Sequence, residues 1–143
     1  MQGRFQSRSP TATEAIGARI AAGLSPGDVV LIEGELGAGK TTLVRGAARA
    51  LGVRGPVTSP TFTIGQRYPA GGGGAVVAHV DLFRLGGLDG EDPDLLADYL
   101  GPDTIAFVEW PQGEDATLAG FARLAARVRL EHDGGDRRQV SVA

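Results

Sequence analysis

The sequence predicts an α/β domain, and three adjoining stretches carry that expectation. Asp28-Val29-Val30-Leu31-Ile32-Glu33 holds four consecutive aliphatic residues, the pattern of a short strand buried on both faces in a parallel sheet. Directly after it, Gly34-Glu35-Leu36-Gly37-Ala38-Gly39-Lys40-Thr41 fits G-x-x-x-x-G-K-[ST] at every fixed position, and Thr42 follows. Leu43, Val44, Ala47, Ala48 and Leu51 then recur at helical spacing, with Gly52 where a C′ glycine would end the helix. Strand, glycine loop and helix stand in the order that a phosphate cradle requires.

The chemistry of such a cradle lies in its backbone. Glycines let successive N–H groups curl around a phosphate, and the following helix adds the positive end of its dipole. Lys40 is placed to reach the β- and γ-phosphates, and the Thr41 hydroxyl to offer Mg²⁺ an oxygen ligand. With 23 glycines in the chain, glycine spacing alone is weak evidence. The lysine is stronger evidence, because the other 13 of the 14 basic residues are all arginine. A chain that otherwise uses arginine throughout keeps one slim ammonium at this position, which a planar guanidinium does not replace.

Length and composition narrow the possibilities. At 143 residues the chain is expected to form one domain, residues 1–143, with little room for a separate lid over a second substrate. No apolar run approaches the ~20 residues that span a bilayer, and the N-terminus carries no secretory pattern. The absence of cysteine excludes disulfides, thiolate metal sites and thiol nucleophiles, and a cytoplasmic protein without membrane contact is expected. A formal charge of −3 argues against independent, phosphate-driven binding of nucleic acid.

Taken in order, Arg4 to Ser7 reads as a short edge strand, and Thr11-Ala12-Thr13-Glu14 as a capping box with Thr11 at the N-cap. Ile16, Ile20 and Leu24 form the apolar stripe of the helix that follows, and Ser25-Pro26-Gly27-Asp28 is a turn into the strand before the glycine loop. Gly55 to Ile64 gathers Thr58, Ser59, Thr61 and Thr63 around Pro60. That segment reads equally as a polar loop near the nucleotide or as an edge strand. Ile64 to Tyr68 continues as a strand, and the glycines 71–74 read as a hairpin loop.

Ala75 to Arg84 reads as a strand ending in a polar cluster, where ligands gather in open α/β sheets. Asp81 there is expected to hold Mg²⁺ or its waters, the alternative being a loop cap, and His79 to be structural. Arg84 reads either as a phosphate or partner contact or as a solvated charge. Residues Gly86 to Pro93 read as a loop and Asp94 to Leu100 as a short helix. Thr104 to Glu109 is an apolar run ending in an acid, the form of a Walker-B strand, so Glu109 is expected to bind the metal or orient water, the alternative being a buried structural ion pair. Trp110 reads either as core filler or as lining the site, with core favoured on area grounds. A helix over Ala116 to Leu124 is expected next, then a β-hairpin of Ala126 to His132 and Arg138 to Val142. In that hairpin Arg127, Arg129, Arg137 and Arg138 read most simply as solvated edge charges, with a nucleotide or partner role as the alternative.

The ordered set GELGAGKTTLVRG, TSPTFTI, HVDLFRL and VEWPQ resembles the TsaE family, bacterial ATPases required for threonylcarbamoylation of the tRNA adenosine beside the anticodon. The resemblance runs from about residue 11 through the terminal hairpin. It implies a P-loop NTPase fold with a central, mostly parallel sheet flanked by helices and extended by antiparallel strands. It implies ATP and Mg²⁺ as cofactors, with Gly34, Glu35, Leu36, Gly37, Ala38, Gly39, Lys40, Thr41 and Thr42 binding the nucleotide. Thr41 and Glu109 are then expected at the metal with Asp81 close to it, and the TSPT segment as a switch loop. The implied partner is the TsaD–TsaB pair, whose repeated turnover the hydrolysis permits, with tRNA met only through that complex. Phe83 stands where the family usually has tyrosine. A small-molecule P-loop kinase is the alternative, whereas a GTPase is excluded because N-K-x-D needs a second lysine.

Overall fold

A computed structural model describes residues 1–35, 37–59, 64–71, 75–83, 93–111 and 113–143. Its strands join in one seven-stranded sheet, in the order β1-β7-β6-β2-β5-β4-β3. The middle four, β6 (Arg123–His132), β2 (Asp28–Gly34), β5 (Thr104–Glu109) and β4 (Val76–Asp81), are mutually parallel. Antiparallel strands extend both edges: β7 (Arg138–Val142) and β1 (Gly3–Ser7) on one side, β3 (Gly65–Pro69) on the other. This is the mixed sheet that the resemblance implied.

Two apolar layers cover the sheet. On one face Val30, Ile32, Phe107 and Val128 pack under α1 (Pro10–Ala21) and α2 (Lys40–Ala50), which contribute Ile16, Ile20, Leu43 and Val44. On the other, Val29, Leu31, Val80 and Val108 meet Leu96 and Leu100, at and just beyond α3 (Pro93–Ala97), and Leu118 of α4 (Asp115–Ala119). Strands whose successive side chains are all buried must be apolar on both faces, as the run in β2 is.

The helix ends show where local chemistry was read well and where it was not. α2 closes as expected: Gly52 has φ +95°, its N–H bonds Arg49 O at 3.0 Å, and Val53 N–H bonds Ala48 O at 3.0 Å, the paired bonds of a Schellman motif. α1 begins earlier than the expected capping box. Its N-cap is Ser9, whose Oγ accepts from Ala12 N–H at 3.1 Å, because Pro10 at N1 is already set to a helical φ and leaves no N–H to satisfy. Glu14 instead faces α2, 3.8 Å from both Arg45 and Arg49.

The helix expected over Ala116 to Leu124 is shorter. It stops at Ala119, and Arg123 and Leu124 already belong to β6, paired with Asp28 and Val29. Arg123 also grips the buried carboxylate of Asp28 through bonds of 2.7 and 3.0 Å, while Ser25 N–H donates to Asp28 at 2.9 Å. The guanidinium holds the Asp28 carboxyl below its ordinary 3.8, against the opposing effect of burial. Because the folded-state pKa is depressed, this stabilisation is present above the unfolded value and is lost as pH falls through the folded one. The terminal hairpin is not a sheet edge either: β6 lies between β2 and β7, and β1 covers β7.

Candidate nucleotide site at the carboxyl edge of the sheet

Parallel pairing collects the polar ends of three strands on one edge. Asp81, ending β4, and Glu109, ending β5, are register partners on neighbouring strands, and Glu109 is also level with Ile32 of β2. The glycine loop leaves β2 at that edge and returns into α2 at Lys40. Its turns need glycine: Gly37 and Gly39 have φ +76° and +98°, and a Cβ on Gly34 would stand 2.6 Å from Leu130 O.

Lys40 is only 5% exposed. Its Nζ donates to Gly34 O at 2.8 Å and Glu35 O at 2.7 Å, and lies 4.2 Å from the centre of the Trp110 ring. Burial pushes the ammonium pKa below its usual value, while the carboxylates of Glu109, Asp81 and Glu35 pull the other way. Glu109 is 3% exposed, and its Oε2 meets both the Thr41 hydroxyl, at a long 3.4 Å, and His79 Nε2. His79 is fully buried, and its Nδ1 has no partner among the described residues. Of the two readings of Asp81, the cap is what the geometry shows: Oδ1 accepts from Phe83 N–H at 2.9 Å, and the residue also lines the cleft.

That cleft has a volume of about 330 Å³ and is lined by Gly37, Gly39, Lys40, Thr41, Thr42, Ser59, Asp81, Glu109 and Trp110. Gly34 and Glu35 border a second cleft on the far side of Trp110, and Ala38 is wholly buried under the loop. Leu36, the remainder of the TSPT segment from Pro60 to Thr63, and Arg84 lie outside the described residues, as do the glycines 72–74 and most of the loop from Gly86 to Pro93. A hydroxyl and two carboxylates form an all-oxygen donor set of the kind Mg²⁺ takes. Among the described residues no three His, Cys, Asp or Glu side chains gather to hold a metal by themselves. The set therefore fits a cation that keeps waters and shares phosphate oxygens.

Three features escaped the sequence reading. Trp110 lines the site, the less favoured of its two readings: it has φ +59°, stands half-buried over Lys40, and meets the exposed Phe83 at 5.0 Å between ring centres with the rings tilted by 49°. The run of apolar residues before it gave no sign that the chain turns there. Arg127 pairs with Glu33 and Asp115, and Arg138 bonds the glycine loop itself, so neither is merely a solvated edge charge. His79 is structural as expected, but its buried partner is Glu109, a contact that the sequence does not specify. The two residues' places near the ends of adjacent strands were the available signal.

Among the described residues, no helix is long and apolar enough to cross a membrane. The family model described as threonylcarbamoyl adenosine biosynthesis protein TsaE matches residues 7–140. The tRNA threonylcarbamoyladenosine biosynthesis protein TsaE of Streptomyces coelicolor is 48% identical over 122 residues, 85% of this chain and 80% of the relative. Its Bacillus subtilis namesake is 34% identical over 96% of this chain and 83% of its own. The Mycobacterium tuberculosis namesake is 43% identical, with 64% of its length matched. The crystal structure of Bacillus subtilus YdiB superposes with a TM-score of 0.69 at 31% identity, covering 99% of this chain and 84% of that one. With the motif-bearing loop, the mixed sheet and the family match agreeing, the chain belongs to the TsaE family of threonylcarbamoyl adenosine biosynthesis proteins.

Proposed function

We propose that this chain is an ATP hydrolase that uses Mg²⁺, acting on the TsaD–TsaB pair in tRNA threonylcarbamoyladenosine biosynthesis without itself transferring the threonylcarbamoyl group. One observation carries the reading: Lys40, Thr41, Asp81 and Glu109, from the start of one helix and the ends of two strands, face a single cleft beside a glycine loop. Thr41, Asp81 and Glu109 would hold the metal, which supplies neutralisation of charge spread over the β- and γ-phosphates. Lys40 exchanges its two loop carbonyls for phosphate oxygens and stabilises the charge that develops on them. Glu109, buried and held by His79, orients the attacking water. Trp110 covers Lys40 and limits water around it.

Supplying ATP and Mg²⁺ with no acceptor tests the reading. Inorganic phosphate is expected to appear over many turnovers. If ATP were consumed only when a small-molecule acceptor was added and phosphorylated, the chain would be a kinase and the proposal would fail.

A further inference from the structure

Arg138 opens β7, one residue beyond the exposed Arg137, yet it reaches back across the sheet edge. Its Nε donates to Ala38 O at 3.1 Å and its Nη2 to Gly37 O at 3.2 Å, both carbonyls of the glycine loop. Its Nη1 donates to Gly135 O at 2.6 Å and Arg137 O at 2.9 Å, in the hairpin turn that carries it. One rigid guanidinium thus ties the loop apex to the β6–β7 turn with four hydrogen bonds. Its planar fork holds that geometry at less entropic cost than a flexible ammonium would.

The bonds orient more than two carbonyls. A planar trans peptide points its C=O and N–H in opposite directions, so holding Ala38 O toward Arg138 turns the Gly39 N–H away from it. Gly39 also caps α2 in a left-handed conformation and lines the cleft. The same hairpin supplies Leu130, whose carbonyl would lie 2.6 Å from a Cβ on Gly34 and whose Cδ2 would lie 3.7 Å from one on Gly39. The loop is therefore braced on its outer side by β6 and β7, the elements whose arginines read from sequence as solvent-facing.

We infer that Arg138 is a positioning residue for nucleotide phosphates: it pre-forms the glycine loop from outside, so that the Gly39 amide is turned to the ligand before it arrives, while Ala38 N–H is held within the loop by Glu35 O at 3.1 Å. The inference rests on the reading of the cleft as a phosphate site. Affinity gained this way comes from pre-organisation, not from a contact with the ligand.

The test compares the unaltered protein with Arg138→Ala, Arg138→Lys and Arg137→Ala. ADP affinity is measured by calorimetry, and amide hydrogen exchange at residues 37–39 is measured without nucleotide. Arg138→Ala is expected to bind ADP about ten-fold more weakly, on the scale of a lost charge-assisted bond. It should also exchange those amides several-fold faster while free of nucleotide. Arg138→Lys should recover part of both, and Arg137→Ala should change neither. Unchanged ADP affinity in Arg138→Ala overturns the inference. So does weaker affinity with unchanged exchange, which would make Arg138 a direct ligand contact. If the unaltered protein binds no nucleotide, the phosphate reading itself fails and takes the inference with it.

Discussion

Lys40→Ala is expected to lose ATP binding by about 100-fold, because an ammonium shared between phosphate oxygens makes at least two charge-assisted bonds of about 1.5 kcal/mol each. Among the described residues that ammonium donates to two carbonyls of its own loop and lies against the Trp110 ring. Glu109→Gln should behave differently. Glutamine keeps the volume beside His79 and Thr41 but removes the charge, so binding should stay within about three-fold while turnover falls about 100- to 1000-fold. Equilibrium binding and phosphate release, measured on both variants, separate the two roles. Equal losses of binding in the two would show that Glu109 is only part of the cradle.

Gly46→Ala is expected to damage the fold more than any change at the surface. Helices α1 and α2 meet backbone to backbone: a Cβ on Gly46 would stand 2.1 Å from Glu14 O, and one on Gly17 would stand 2.1 Å from Leu43 O. Real Cβ atoms essentially never come within 3.0 Å of such neighbours, so the helices would have to separate by about 1 Å along a packed seam. Overpacking of this kind costs about 3 kcal/mol, which lowers the melting temperature of a chain this size by about 10 °C. Gly23→Ala is the control, since its nearest neighbour is Ile20 O at 3.8 Å and its φ is ordinary. Thermal unfolding followed by circular dichroism should show a large fall for the first and almost none for the second. Because α2 carries Lys40 and Thr41 at its start, the same shift would disturb the cleft.

What the sequence disclosed was what short stretches dictate locally. The glycine loop, its flanking strand and helix, the Schellman end at Gly52 and the acid ending β5 each follow from a few neighbouring residues. Ser9-Pro10, the N-cap that the structure shows, is a local signal as well, since proline at N1 favours a cap at the residue before it. The rest depends on pairing across the chain. The parallel pairing of β6 with β2 claims Arg123 and Leu124, the last two residues of the helix expected over Ala116 to Leu124. The same pairing brings the hairpin turn to the glycine loop, which Arg138 bonds, and alternation along a strand cannot reveal which strand will cover it. Trp110 illustrates the same point at one residue. Its left-handed backbone turns the ring over Lys40, against the preference of a bulky side chain, where an extended residue would have packed it away.

The central claim is that the cleft hydrolyses ATP in the service of other proteins. The most direct measurement is steady phosphate release from ATP and Mg²⁺ while purified TsaD–TsaB is titrated in, with complex formation followed in the same samples. A slow rate that rises and saturates as the complex forms is the expected result, as partner contact orders the residues around the cleft and excludes water. A chain that neither bound TsaD–TsaB nor changed its rate in their presence would contradict the account.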